Sequence, residues 1–205
     1  MTINKNEFGG LLVAFDGPNG VGKSTLIEQV RCGLTDSGFD VFITKEPSET
    51  MLGTFTRQVA ESLDGESLAC LVAADRYHHL KQIIIPELEK GKVVITDRYI
   101  LSSLILQCMD NVDANFVLAI NSRAILPDIQ IAVKADIDVL RSRLNDRDIL
   151  TRFERGQRSS DELAYMVKGE SLLTQMSVTL LNIENSSNLH ENVSCIIDRV
   201  KEAIK

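Results

Sequence analysis

The sequence predicts an α/β protein, a doubly wound parallel five-stranded sheet flanked by helices. Short, nearly continuous apolar runs at 11–15, 41–44, 92–96, 129–133 and 180–183 alternate with stretches of helical periodicity. Parallel strands are covered on both faces, so they read as unbroken apolar runs rather than as alternating ones. A glycine-rich turn also links the first run to the first helical stretch, which is how such sheets present their ligand edge.

Leu11-Leu12-Val13-Ala14-Phe15 is short and wholly apolar, as a buried strand requires. Beyond the turn, Leu26, Ile27 and Val30 mark a helix over 25–34. After the second run, Leu80, Ile83, Ile84 and Leu88 recur at helical spacing in a segment ending at Gly91. Pro86 lies inside that pattern and predicts a kink rather than a break. Further on, Ser159-x-x-Glu162 has the form of a capping box and predicts a new helix start. No repeat, low-complexity tract or linker divides the 205 residues, so one domain over 1–205 is expected, large enough for a substantial core.

A net charge of −7 argues against a nucleic-acid polymer as partner, because that interaction needs a basic face. Cys32, Cys70, Cys108 and Cys195 stand singly, which argues against zinc and against a disulfide framework. The first residues carry no apolar leader and no run reaches membrane-spanning length, so a cytoplasmic protein without a membrane partner is expected.

Gly17-Pro-Asn19-Gly20-Val21-Gly22-Lys23-Ser24 satisfies G-x-x-x-x-G-K-[ST] between a strand and a helix. There the backbone N–H groups and the helix N-terminus converge on phosphate. The pattern assigns Gly17, Asn19, Gly20, Val21, Gly22, Lys23, Ser24 and Thr25 to ATP, with Lys23 on the β- and γ-phosphates and Ser24 toward Mg²⁺. Asp97 closes the run at 92–96, the position that commonly holds Mg²⁺ directly or through water, and Arg98 sets a fixed cation beside it.

Arg141, Arg143, Arg147, Arg152, Arg155 and Arg158 fall within eighteen residues, interleaved with Asp146, Asp148 and Glu154. Two readings stand: a solvated helix face, or a lid at about 146–158 that closes over phosphates and excludes water. His78 and His79 are adjacent on a helix and point different ways, and they are read as structural, as is His190. A regulatory GTPase would need N-K-x-D after a later strand. Asn4-Lys5-Asn6-Glu7 precedes the loop and ends in the wrong acid. A non-catalytic nucleotide-binding module remains the other reading of a phosphate loop.

Several motifs in order along nearly the whole chain resemble the bacterial type of thymidylate kinase. Phe15-Asp16-Gly17 leads into the loop, and Thr44-Lys45-Glu46-Pro47 resembles T-R-E-P. Leu52-Gly53 with Arg57, Ala73-Ala74-Asp75-Arg76, and Asp97-Arg98-Tyr99 running on to Ser102-Ser103 resemble further signatures. Arg147-Asp148-Ile149-Leu150-Thr151-Arg152-Phe153-Glu154 resembles the lid pattern, and Pro127-Asp128 before a strand also fits.

The resemblance implies the architecture of a phosphate-loop nucleoside monophosphate kinase, Mg²⁺ as cofactor and transfer of the ATP γ-phosphate to a pyrimidine deoxynucleoside monophosphate, dTMP first. It also implies a homodimer. Asp16, Glu46, Arg57, Val72, Arg76, Arg98, Ser103, Leu106 and Gln107 would surround the acceptor. Arg57 and Arg98 would clamp its phosphate, and Arg76, Ser103 and Gln107 would read the base. Lys23, Arg98, Arg147 and Arg152 would act on the transferring group, the last two from the lid. Val72 stands where the family has a phenylalanine and Leu106 where it has a tyrosine. Asn19 replaces a loop acid, Lys45 an arginine and Thr151 an aspartate. A paralogue acting on dUMP, UMP or a modified pyrimidine nucleotide is therefore the alternative acceptor reading.

Overall fold

Every predicted apolar run is a strand. They are β1 (Leu11–Asp16), β2 (Val41–Lys45), β3 (Val93–Asp97), β4 (Ile129–Lys134) and β5 (Thr179–Glu184). They form one five-stranded sheet in the order β2-β3-β1-β4-β5, and each pairing is parallel. The computed structural model describes residues 5–145, 159–186 and 188–204. The proposed lid at 146–158, with Arg147 and Arg152, lies outside the described residues. No helix among the described residues is long and apolar enough to cross a membrane.

Successive strand residues face opposite sides of the sheet, and the core divides accordingly. Leu12 and Ala14 of β1 and Val94 of β3 pack with Leu101 and Leu104 of α5 (Ile100–Met109) and with Met166 and Leu173 of α8 (Ser159–Gln175). Val13 and Phe15 face the other way, onto Leu26, Val30 and Leu34 of α1 (Lys23–Asp36) and Ile196 and Val200 of α9 (Leu189–Ile204). Helices on both faces explain why the strands carry almost no alternation.

The remaining helices connect the strands. α2 (Met51–Val59) follows β2 and is capped by Thr50, whose hydroxyl accepts the Gly53 N–H. α3 (Gly65–His79) continues through one wide turn, Leu80–Ile84, into α4 (Ile85–Glu89). In that turn the Ile85 N–H reaches the Leu80 carbonyl, five residues back, and Pro86 then sits in the first turn of α4. The helical path is not broken at the proline, because the wide turn absorbs the irregularity just before it. α6 (Ala114–Ile120) and α7 (Ile137–Asn145) flank β4.

Candidate active site

β1 delivers the chain to the phosphate loop, and α1 begins inside it at Lys23. Gly22 caps α1 with φ +92°, and a Cβ there would lie 2.7 Å from Asn185 Nδ2. Both the conformation and the space call for glycine. Lys23 is buried, and its Nζ donates to the carbonyls of Gly17 at 2.9 Å and Pro18 at 3.0 Å. Burial, and then the charge of Arg98, lower its pKa to about 7.

Gly20, Gly22, Ser24 and Thr25 line a cavity of about 460 Å³ together with Arg143, Asn185, Ser186 and Leu189. Arg143 Nη1 donates to the Val21 carbonyl at 3.1 Å, and Asn185 Nδ2 donates to the same oxygen at 2.8 Å. Neither side chain was assigned to the nucleotide from sequence. Asn185 directly follows β5, so the rule that such sheets bind ligands beyond the carboxyl ends of their strands points to it.

A second cavity, of about 390 Å³, opens on the other side of the loop. Glu46, Arg57, Val72, Arg76, Arg98, Ser103, Leu106 and Gln107, all assigned to the acceptor from sequence, line it together. Asp16 does not. It is fully buried behind the wall, where Oδ1 accepts the N–H groups of Tyr99 and Ser102, each at 3.0 Å. Its Oδ2 accepts Gln130 Nε2 at 2.9 Å. The carboxylate thereby anchors the first turn of α5, where it satisfies otherwise unpaired N–H groups.

Asn19 belongs to the phosphate loop assigned to ATP from sequence. Its side chain lines the acceptor cavity, and its Oδ1 accepts Arg98 Nη2 at 2.7 Å. Arg98 Nη1 donates to Ser102 Oγ at 3.1 Å. The backbone of Arg98 has φ +73°, a conformation uncommon outside glycine, and it is held there by its N–H on the Phe15 carbonyl and its own carbonyl on Thr96 Oγ1. Arg57 donates to the carbonyls of Pro47 and Ser48, which fixes the turn between β2 and α2. Asp75 grips the same turn from α3, accepting Ser48 N–H at 2.7 Å and Ser48 Oγ at 2.6 Å. Gly53 lets that turn close, since a Cβ there would lie 2.1 Å from the Ser48 carbonyl oxygen.

Arg76 is buried on the cavity floor and is held on every side. Its Nε donates to Glu46 Oε2 at 2.8 Å, Nη2 to Ser103 Oγ at 2.9 Å and Nη1 to Asn121 Oδ1 at 2.5 Å. The Tyr99 ring lies against its guanidinium, 5.1 Å from Cζ to centroid. The Gln107 Oε1 acceptor is buried without a hydrogen-bond partner among the described residues. Asn121 escaped the sequence reading because it sits at the end of α6, far from any recognisable motif.

Asp97 closes β3 beside Lys23, and its Oδ1 is likewise buried without a partner among the described residues. Ser24 is exposed at the mouth of the nucleotide cavity. Among the described residues no group of three or more His, Cys, Asp or Glu side chains could hold a metal by itself. One hydroxyl and one carboxylate nevertheless suit Mg²⁺, which keeps several waters and takes much of its shell from substrate phosphates.

A family model for thymidylate kinase matches residues 15–194. A probable thymidylate kinase of Thermococcus gammatolerans is 31% identical over 205 residues, covering 93% of this chain and 97% of its own length. A probable thymidylate kinase of Caldivirga maquilingensis is 38% identical over 149 residues, covering 71% of this chain and 73% of its own. A thymidylate kinase of Caldicellulosiruptor saccharolyticus is 38% identical over 143 residues, with 66% and 69% covered. The matched span runs from the end of β1 into α9 and takes in both cavities, and the chain accordingly belongs to the thymidylate kinase family of phosphotransferases.

Proposed function

We propose that the protein transfers the γ-phosphate of ATP to dTMP, giving dTDP and ADP. The observation that carries this reading is the position of Arg98, whose guanidinium lines the acceptor cavity while bonded to Asn19 of the phosphate loop. An acceptor phosphate held by Arg98 is thereby tied to the loop that binds the donor. The names of the relatives favour dTMP over dUMP, UMP or a binding-only role.

Phosphoryl transfer asks mostly for positioning and charge neutralisation. Lys23 supplies charge to the β- and γ-phosphates, and Arg57 and Arg98 orient the acceptor phosphate. Asp97 and Ser24 would hold Mg²⁺, which when bound screens the phosphate charge. Arg147 and Arg152, from the lid at 146–158, close over the transferring group and exclude water. Arg76, Ser103 and Gln107 read the base, and the unpartnered Gln107 Oε1 suits the N3–H of thymine. Gly17, Val21 and Thr25 complete the donor site. A homodimer accompanies this reading on family resemblance, with the cytoplasm as its proposed location.

The test is ADP release, coupled to a spectroscopic readout, with and without dTMP. Acceptor-dependent turnover that is lost on chelation of divalent cations, and lost in Lys23→Ala, is the expected result. Nucleotide binding without dTMP-dependent turnover would overturn the proposal in favour of a binding module.

A further inference from the structure

The acceptor cavity has a buried support that none of the assigned site residues accounts for. His79 ends α3 and has no exposed surface. Its Nε2 lies 2.6 Å from Thr44 Oγ1 at the end of β2, and its Nδ1 lies 3.4 Å from Glu46 Oε1. Glu46 in turn binds Arg76 through its other oxygen, Oε2, at 2.8 Å from Nε and 2.7 Å from Nη2. A ring with its proton on Nδ1 satisfies every group in this row. In that tautomer the Thr44 hydroxyl donates to Nε2 and Nδ1–H donates to Glu46 Oε1, which leaves Oε2 to Arg76. Buried polar rows of this kind tolerate no empty position, because each unpaired group keeps its desolvation cost.

We propose that His79 is a positioning residue for the acceptor site, acting through Glu46 on the Arg76 guanidinium, with Thr44 setting its tautomer. Without the ring, Glu46 loses the partner that fixes its second oxygen and is free to rotate away from Nε. Arg76 then loses the bond that aims its plane into the cavity. His79 touches neither cavity wall, and no member of the row borders the nucleotide cavity. The effect therefore belongs to the acceptor alone.

This inference rests on the proposal that the cavity holds a nucleoside monophosphate. It is tested with whichever monophosphate wild-type protein turns over with the highest kcat/KM, so failure of dTMP as substrate is registered separately. His79→Leu is expected to raise the acceptor KM roughly tenfold or more, the worth of a hydrogen bond to a charged group, and to leave the ATP KM unchanged. His79→Asn, which can still donate toward Glu46, is expected to recover most of that loss. In a Glu46→Gln background the His79→Leu penalty should largely vanish, as coupled groups require.

If His79→Leu does not fold, Thr44→Val takes its place. It removes only the hydroxyl on Nε2 and should raise the acceptor KM about threefold with the ATP KM unchanged, a fraction of the worth of one bond. An acceptor KM within twofold of wild type, a parallel rise in the ATP KM, or full additivity with Glu46→Gln would each overturn the proposal.

Discussion

Lys23 offers a quantitative test of how the phosphate loop is charged. Its ammonium is buried between the Gly17 and Pro18 carbonyls, and burial and Arg98 bring its pKa from 10.5 to about 7. At pH 8 the free protein should therefore carry Lys23 roughly nine-tenths neutral. Bound polyphosphate supplies negative charge at the loop and draws the ammonium form back, so nucleotide binding at pH 8 should take up close to one proton. At pH 6 Lys23 is already charged and the uptake should fall to near zero.

The same shift fixes the sign of the stability change. Between pH 7 and 10.5 the unfolded chain binds more protons than the native one, so the free protein gains stability as pH rises through that window. The conversion of one pKa unit to about 1.4 kcal/mol puts the full gain at roughly 5 kcal/mol. The assay is titration calorimetry of ADP in buffers of different ionisation enthalpy, run in parallel on Lys23→Arg. The guanidinium does not titrate in this range, so the variant subtracts the protons carried by the nucleotide itself. An uptake at pH 8 equal in wild type and Lys23→Arg would refute the reasoning and mean that Lys23 is already charged in the free loop.

Three further expectations follow from the cavities and the proposed lid. Arg152→Ala should lower kcat tenfold to a thousandfold with little change in the acceptor KM, since an interaction made mainly in the transition state behaves that way. Steady-state kinetics check it, and an unchanged kcat would return the arginine cluster to a solvated face. Gly53→Ala should drive a Cβ against the Ser48 carbonyl, destabilise the protein by about 1–3 kcal/mol in denaturant melts and raise the acceptor KM through the displaced turn. Val72→Phe should set an aromatic face on the acceptor cavity and lower the dTMP KM by roughly the 0.5–1.5 kcal/mol of an aromatic pair, whereas a raised KM would mean that the cavity has no room for it.

The three inner strands could be read from the sequence because a parallel strand covered on both faces advertises its burial in every residue, and β1, β3 and β4 are buried from end to end but for Asp97 and Lys134. The phosphate loop could be read because its chemistry is local in sequence. Side chains whose meaning depends on a distant partner could not. Nothing near Asp16 in the sequence shows that its carboxylate holds Tyr99 and Ser102, 83 and 86 residues along the chain. Nothing near Asn19 shows that its side chain holds Arg98, 79 residues away. Arg143, Asn185 and His79 likewise acquire their roles only where separate segments meet.

Arg98 combines both kinds of information. Its place after an apolar run ending in aspartate marks it as functional, but nothing local predicts a non-glycine residue at φ +73°. Such a conformation costs free energy and persists only where the surroundings impose it. Here the Arg98 N–H is taken by the Phe15 carbonyl, its own carbonyl by Thr96, and its guanidinium by Asn19 and Ser102. The backbone thus turns at the one residue whose side chain must reach from the end of β3 to both the loop and the acceptor. A substitution such as Arg98→Gly would relieve the backbone while removing the link between the acceptor cavity and the phosphate loop. Its expected signature is a protein of undiminished stability whose dTMP-dependent turnover is lost, measured by thermal melts beside the coupled assay, and retained turnover would break the argument that this link carries the reaction.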